Sequence, residues 1–70
     1  MIPLIYAVVG EQNVIKKITG RPDMKKHLED MGFVVGAVIT VVSTVGGNLI
    51  VNIKDTKVAL DRELGTRIMI

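Results

Sequence analysis

The sequence contains no cysteine among its 70 residues. This absence excludes disulfide bonds, thiolate zinc sites, iron–sulfur clusters and a cysteine nucleophile. It also fits a reducing compartment, and residues 1–9 carry neither the basic segment nor the cleavage site of a secretory signal. We therefore expect an unprocessed, cytoplasmic protein.

Aromatic residues are almost as scarce, since Tyr6 and Phe33 are the only two. Barrels that bind single-stranded nucleic acid generally stack bases on exposed aromatic side chains, and grooves for proline-rich peptides are lined by them. The net charge of +2 at pH 7 is too small to indicate nucleic acid by itself. We predict no nucleic-acid partner, and a nucleic-acid-binding barrel is the least favoured alternative.

Side chains for catalysis are also few. His27 is the only histidine and Ser43 the only serine, and Ser43 lies in a β-like run without a nucleophile-elbow motif. The 7 acidic residues are scattered, so paired acid–base chemistry has no evident position. Gly46-Gly47 lacks the lysine and hydroxyl that complete a phosphate-binding loop. The sequence therefore predicts a protein that is not an enzyme.

Charged side chains are missing from residues 31–53, a stretch long enough to cross a bilayer. Glycines and polar side chains interrupt it, however, and hydrocarbon would leave those polar groups unsatisfied. Leu49, Val51 and Ile53 alternate with Asn48 and Asn52, which is the period of a half-buried strand. A β-hairpin in water is favoured over a membrane span.

Aliphatic residues are what the chain has in abundance, and 49% of it is hydrophobic. A chain of this length forms a single domain, which we place over residues 1–70. Small domains are only marginally stable on their own, and self-association is one common way to stabilise them. A homo-oligomer is therefore a candidate state.

One helix is predicted, over residues 22–31. Pro22 suits the first helical position, where its missing N–H costs nothing. Met24, Leu28 and Met31 form one narrow apolar stripe, and Gly32 suits the left-handed conformation that ends helices. This helix is expected to pack against a sheet.

Five strands are predicted, at residues 13–19, 38–44, 48–54, 57–60 and 66–70. Gly46-Gly47 forms a tight hairpin turn, and residues 61–64 form one helical turn that Gly65 ends. Short strands with the helix inserted after the first indicate a mainly β fold, a small SH3-like barrel. Closure would hide the edges of so aliphatic a set of strands.

Asp23, His27 and Asp30 are the candidate metal ligands, because their spacing lets them approach one side of the helix. A histidine with two carboxylates can hold a divalent transition metal, although a closed site normally has four ligands. A solvated helix face with a capping aspartate is the favoured interpretation. No cofactor is required.

Five basic residues within eleven positions form the candidate partner-binding surface: Lys16, Lys17, Arg21, Lys25 and Lys26. Such a cluster suits an acidic protein surface or anionic lipid head groups, and it is also compatible with an ordinary solvated face. The spacing predicts ion pairs between Lys25 and Glu29 and between Lys26 and Asp30. The register at Lys16 and Lys17 stays open, because one of them must face the core or lie at a strand end.

The order and spacing of these motifs resemble the FeoA family. The family pattern begins with a helix that ends in leucine–x–x–apolar–glycine, and a second glycine follows four residues later. A pair of strands around a glycine turn comes next, and then an alanine–leucine step. The matching segments are residues 24–36, 38–41, 46–51 and 58–60, with Gly10 and residues 68–70. The chain departs from the family at Val35, where proline is common, and at Asp55-Thr56, where a turn glycine is common.

This resemblance implies an SH3-like domain and a non-enzymatic accessory protein of bacterial ferrous iron uptake. The implied partner is the cytoplasmic part of a GTPase-containing ferrous iron permease of the FeoB type, which would hold the protein at the inner face of the membrane. The same module occurs in metal-dependent repressors. A stand-alone transition-metal-binding or adaptor barrel is therefore the alternative.

Overall fold

A computed structural model describes all 70 residues and contains six strands and two α-helices. The strands are β1 (Gln12–Val14), β2 (Lys17–Ile18), β3 (Val38–Val45), β4 (Asn48–Ile53), β5 (Thr56–Leu60) and β6 (Ile68–Met69). The helices are α1 (Pro22–Asp30) and α2 (Arg62–Arg67), and one 3-10 turn spans Leu4–Tyr6. The predicted mainly β fold is confirmed.

The strands form two antiparallel sheets around one core. Four strands pair in the order β1-β3-β4-β5, and β2 pairs with β6. Ile2 and Ile70 exchange two backbone hydrogen bonds of 2.9 and 2.8 Å, which hold the two ends of the chain side by side. Because the strands belong to two separate sheets, the backbone hydrogen bonds between strands do not run continuously round the barrel.

The uncharged middle of the chain forms the predicted hairpin of β3 and β4. Gly46 and Gly47 make its two-residue turn with φ values of 57° and 86°, the left-handed pair that such turns require. The register shifts between Val41 and Ser43, and a bulge of this kind bends a strand and increases its twist. No helix in the structure has both the length and the apolar character needed to span a membrane.

The first predicted strand is in fact two strands. β1 pairs with β3, whereas β2 pairs with β6 in the other sheet, so the chain changes sheets at Ile15 and Lys16. Ile15 is fully buried, and its N–H donates to the carbonyl oxygen of Ala37 at 2.9 Å. The chain thus has six strands rather than five, and α1 follows the second of them.

Gly65 does not end a helical turn but lies inside α2, so the predicted strand over residues 66–70 shrinks to β6. A Cβ atom at residue 65 would lie 2.8 Å from Cγ2 of Ile5 and 2.8 Å from Cδ1 of Leu49. Glycine is therefore present because α2 approaches the 3-10 turn and β4 very closely. Asp61 is the N-cap residue of α2, and its carboxylate accepts a hydrogen bond of 2.8 Å from the backbone N–H of Leu64.

The core consists of 13 buried hydrophobic residues from both sheets, α1, the 3-10 turn and the segments between and after them. Phe33 is its only aromatic side chain and is fully buried. From α1, Leu28 is fully buried, while Met24 and Met31 are half-buried. The predicted apolar stripe of the helix is therefore confirmed, with Leu28 as its centre.

Candidate partner-binding surface

Lys16 and Lys17 both point away from the core, although they are adjacent in the chain. Ile15 before them and Ile18 after them are buried, so an unbroken strand would have turned one lysine inward. The break between β1 and β2 removes this conflict, because Lys16 lies in the break and Lys17 is the first residue of β2. The backbone N–H of Lys16 still donates to the carbonyl oxygen of Met69 at 2.8 Å, which fixes the pair beside β6.

The other three basic residues lie at the start of α1. Arg21 is the N-cap residue and is exposed, Lys26 is exposed, and Lys25 is half-buried. Arg21 donates two hydrogen bonds to the carboxylate of Asp23, of 3.3 and 3.0 Å. This hydrogen bonding is the largest cause of the lowered pKa of Asp23.

Three of the five basic side chains have no acidic partner within 4.0 Å: Lys16, Lys17 and Lys25. Lys26 forms the predicted ion pair with Asp30, at 3.7 Å, whereas the predicted pair between Lys25 and Glu29 is not formed. Ion pairs of this exposed kind contribute little to stability. The surface therefore carries unpaired positive charge that the fold itself does not use.

The candidate metal ligands do not come together as a metal site. No group of three histidine or acidic side chains in the structure has an arrangement that could hold a metal ion. Asp23 is bound by Arg21 and Asp30 by Lys26, so both carboxylates already face a positive charge. The structure therefore shows no preformed metal site at these residues, and metal binding near His27 stays a prediction.

One pocket, of about 440 Å³, was not predicted from the sequence. Its lining residues are Gly20, Arg21, Met24, Glu63 and Arg67. They come from the start of α1 and from α2, which lie far apart in the chain. Pairing of β2 with β6 brings the two segments together, and no local pattern in the sequence signals that contact.

The fold and the surface together define a small SH3-like domain whose ionisable side chains all lie outside the core. The family model for the FeoA domain matches residues 2–70. The chain therefore belongs to the FeoA domain family, and the resemblance seen in the sequence is confirmed.

Related proteins agree with this assignment. A protein of Methanocaldococcus jannaschii that carries the provisional name Fe(2+) transport protein A is 31% identical over 70 residues, which cover 100% of this chain and 85% of the relative. A crystal structure described as iron uptake regulatory protein (FeoA) has a TM-score of 0.88 and 26% identity, and the match covers 97% of this chain and 90% of that one.

Two more distant structures share the fold. FeoA of Stenotrophomonas maltophilia, crystallised with zinc and described as an SH3 domain protein, has a TM-score of 0.83 and 23% identity, over 99% of this chain and 88% of that one. A manganese-dependent transcriptional repressor has a TM-score of 0.85 and 19% identity, over 94% of this chain and 38% of the repressor. The predicted SH3-like class and its occurrence in metal-dependent repressors are thus confirmed.

Proposed function

We propose that this chain is a non-enzymatic accessory protein of ferrous iron uptake that binds the cytoplasmic part of a GTPase-containing ferrous iron permease of the FeoB type. Membership of the FeoA domain family supports the link to ferrous iron, as does the relative named for Fe(2+) transport. The structure of the Stenotrophomonas protein is described in terms of an activating factor for bacterial ferrous iron transport. The protein would work in the cytoplasm, at the inner face of the membrane.

The observation that carries the proposed contact is the unpaired charge of Lys16, Lys17 and Lys25. Positive side chains without acidic neighbours attract an acidic partner surface, and such complementarity raises the association rate and selects the partner. Lys16 and Lys17 are held beside β6 by backbone hydrogen bonds, so their positions are fixed by the fold. Together with Arg21 and Lys26, they form the proposed contact surface.

Charge reversal tests this contact. The double variant Lys16→Glu, Lys17→Glu should restore little ferrous iron uptake in a strain that lacks the native protein, and it should not co-purify with the permease. The matched control is Lys54→Glu, Lys57→Glu, which changes the net charge equally at two exposed residues, one in the turn between β4 and β5 and one in β5. Equal uptake and co-purification with both double variants would reject the proposed surface.

Transition-metal binding, or an adaptor role of the kind found in metal-dependent repressors, is the second candidate function. It is favoured by the fold shared with the manganese-dependent repressor and with the zinc complex of the Stenotrophomonas protein. Calorimetry with ferrous, manganous and zinc ions tests the metal version on this chain. Heat that saturates and disappears in the variant His27→Ala would support it, and dilution heat alone would reject it.

A homo-oligomer stays a prediction for this small domain. Sedimentation equilibrium at several protein concentrations measures the mass directly. If copies associate, the measured mass should exceed the 7.6 kDa of one chain and should rise with protein concentration. A constant mass of 7.6 kDa would contradict self-association.

A further inference from the structure

Hydrogen bonds outside the core help to build the pocket between α1 and α2. Thr19 lies just before α1, and both its backbone N–H and its hydroxyl donate to the carbonyl oxygen of Arg67, at 2.8 and 3.2 Å. These bonds hold the start of α1 against the end of α2. Two arginine side chains, Arg21 and Arg67, therefore line one cavity from different elements.

Arg67 has hydrogen-bonding capacity that the fold leaves unused. Its guanidinium carries five N–H donors, and its only acidic neighbour is Glu63, 3.8 Å from Nη2. The Nε atom is shielded from solvent and has no hydrogen-bond partner, and it is the only buried side-chain nitrogen or oxygen of the protein in this condition. The Arg67 side chain donates no hydrogen bond within the protein and is 39% exposed, so the outer N–H groups of its guanidinium are free to bind a ligand in the pocket.

Gly20 leaves the space beside the Arg67 side chain open. A Cβ atom on residue 20 would lie 3.5 Å from Cδ and 3.7 Å from Nε of Arg67, and 3.4 Å from Sδ of Met24. The backbone there has a φ of 114°, which side-chain-bearing residues rarely adopt. A side chain on residue 20 would therefore contact Arg67 and Met24 at ordinary packing distances, and the positive φ is what favours glycine there.

Arg21 also has donors to spare. Asp23 accepts hydrogen bonds from Nε and Nη2 of Arg21, which leaves the Nη1 donors free. Both ion pairs at the pocket are solvent-exposed on their acidic side, because the side chains of Asp23 and Glu63 are each 69% exposed. The single 3.8 Å contact between Arg67 and Glu63 is weak, whereas the two hydrogen bonds to Asp23 hold Arg21 in one orientation.

We propose that this pocket binds the phosphate group of a small organic phosphate. Guanidinium groups recognise oxyanions through paired hydrogen bonds, and two of them from different elements can surround a tetrahedral group. Each arginine already faces a carboxylate, so a dianionic phosphate is better able to compete than a ligand carboxylate of single charge. The pocket is open to solvent and has room for a small molecule, with Met24 as its one hydrophobic lining residue and Glu63 as an acceptor for hydroxyl groups. The proposal does not depend on the permease contact.

Titration by NMR at constant ionic strength tests the site, with ribose 5-phosphate as the probe. The expected result is saturable shifts of the Gly20 amide and of the Arg67 Nε–H signal, with ribose producing none and inorganic phosphate binding more weakly. Absence of saturable shifts at these two groups would overturn the proposal. Equal affinity for inorganic phosphate and ribose 5-phosphate would also overturn it, because the site would then take the ion alone.

Three variants separate binding from folding. Arg21→Gln, on an exposed side chain, is expected to weaken binding about tenfold, since a hydrogen bond between charged groups is lost. Glu63→Gln is expected to tighten binding about threefold, because it removes the acidic competitor for Arg67. The control Arg62→Gln removes an exposed charge of α2 that does not line the pocket, and it should bind as the native chain does. Equal affinities of Arg21→Gln and Arg62→Gln would contradict the proposed role of Arg21.

Discussion

Replacement of Gly65 by alanine sets two effects of similar size against each other. Alanine is the better helix former, and in the middle of a helix it is worth about 0.5–1 kcal/mol over glycine. Against this, the added Cβ would lie 2.8 Å from both Cγ2 of Ile5 and Cδ1 of Leu49. Carbon atoms normally pack about 3.5–4.0 Å apart, so the neighbours must move by roughly 1 Å.

The packing cost should be the larger of the two effects. Leu49 is buried, and Cγ2 of Ile5 is attached to a branched Cβ with restricted rotation, so neither can move freely. Insertion of an extra carbon into a packed interior costs about 1–3 kcal/mol. After the gain in helix propensity, Gly65→Ala should lower the free energy of unfolding by about 1 kcal/mol, which lowers Tm by about 4–8 °C in a domain of this size.

Urea and thermal unfolding followed by circular dichroism measure this difference. Arg62→Ala, on an exposed position of the same helix, is the control and should stay within about 0.5 kcal/mol of the native chain. Ile5→Ala removes one of the two crowded atoms, so Gly65→Ala should cost less in that background. A Gly65→Ala variant more stable than the native chain would refute the close approach of α2 to β4.

Three further changes test other parts of the structure. The double variant Lys54→Asn, Asp55→Gly should raise the free energy of unfolding in urea by about 1 kcal/mol. Residues 54 and 55 have φ values of 49° and 60°, which suit Asn-Gly in a two-residue turn. A less stable variant would contradict this turn. Asp61→Ala should cost about 1 kcal/mol, since it removes the N-cap hydrogen bond of α2, and an unchanged unfolding curve would argue against that cap. Arg21→Gln should raise the pKa of Asp23 toward 3.8 in an NMR titration of its carboxylate, because hydrogen bonding from Arg21 is the main cause of the lowered value. An unchanged pKa of Asp23 in Arg21→Gln would contradict the assigned cause. Because the pKa is lowered in the folded state, the contribution of Asp23 to stability is complete above pH 3.8 and is lost as the pH falls through the folded value.

Local signals predicted the parts of the fold that local physics determines. Gly46-Gly47 between alternating strands fixed the β3–β4 hairpin, because few other residue pairs tolerate two positive φ values. Pro22 indicated the start of α1 because its φ is fixed near the helical value, and Gly32 indicated the end because it tolerates a positive φ. Leu28 indicated the buried face of the helix. These elements depend on the conformational limits of single residues, which are visible in the sequence.

Gly65 shows where such reasoning fails. Glycine is a common helix terminator, and nothing nearby in the sequence indicates that it is instead needed for contact with Ile5 and Leu49. The break between β1 and β2 is equally hidden, since it depends on which strand each half meets. The turn after β4 was predicted at residues 55 and 56, but the structure has it at Lys54 and Asp55. The prediction was wrong by one residue because Lys54 and Asp55 adopt positive φ values that their side chains do not favour.

The candidate surface was partly predictable for the same reason. Lys16, Lys17, Lys25 and Lys26 are close in sequence, and this proximity alone made them candidates for one surface. Which of them stays unpaired did require the structure, since only Lys26 reaches an acidic neighbour. The pocket with Arg67 was not predictable, because its two walls meet only after β2 and β6 have paired.

Binding of the purified protein to the purified ferrous iron permease tests the central proposal most directly. Surface-immobilised permease should bind the native chain saturably, with an association rate that falls as salt rises, because opposite charges are brought together. The variant Lys16→Glu, Lys17→Glu should associate much more slowly than Lys54→Glu, Lys57→Glu. No saturable binding at low salt, or an association rate independent of salt, would contradict contact through the basic surface.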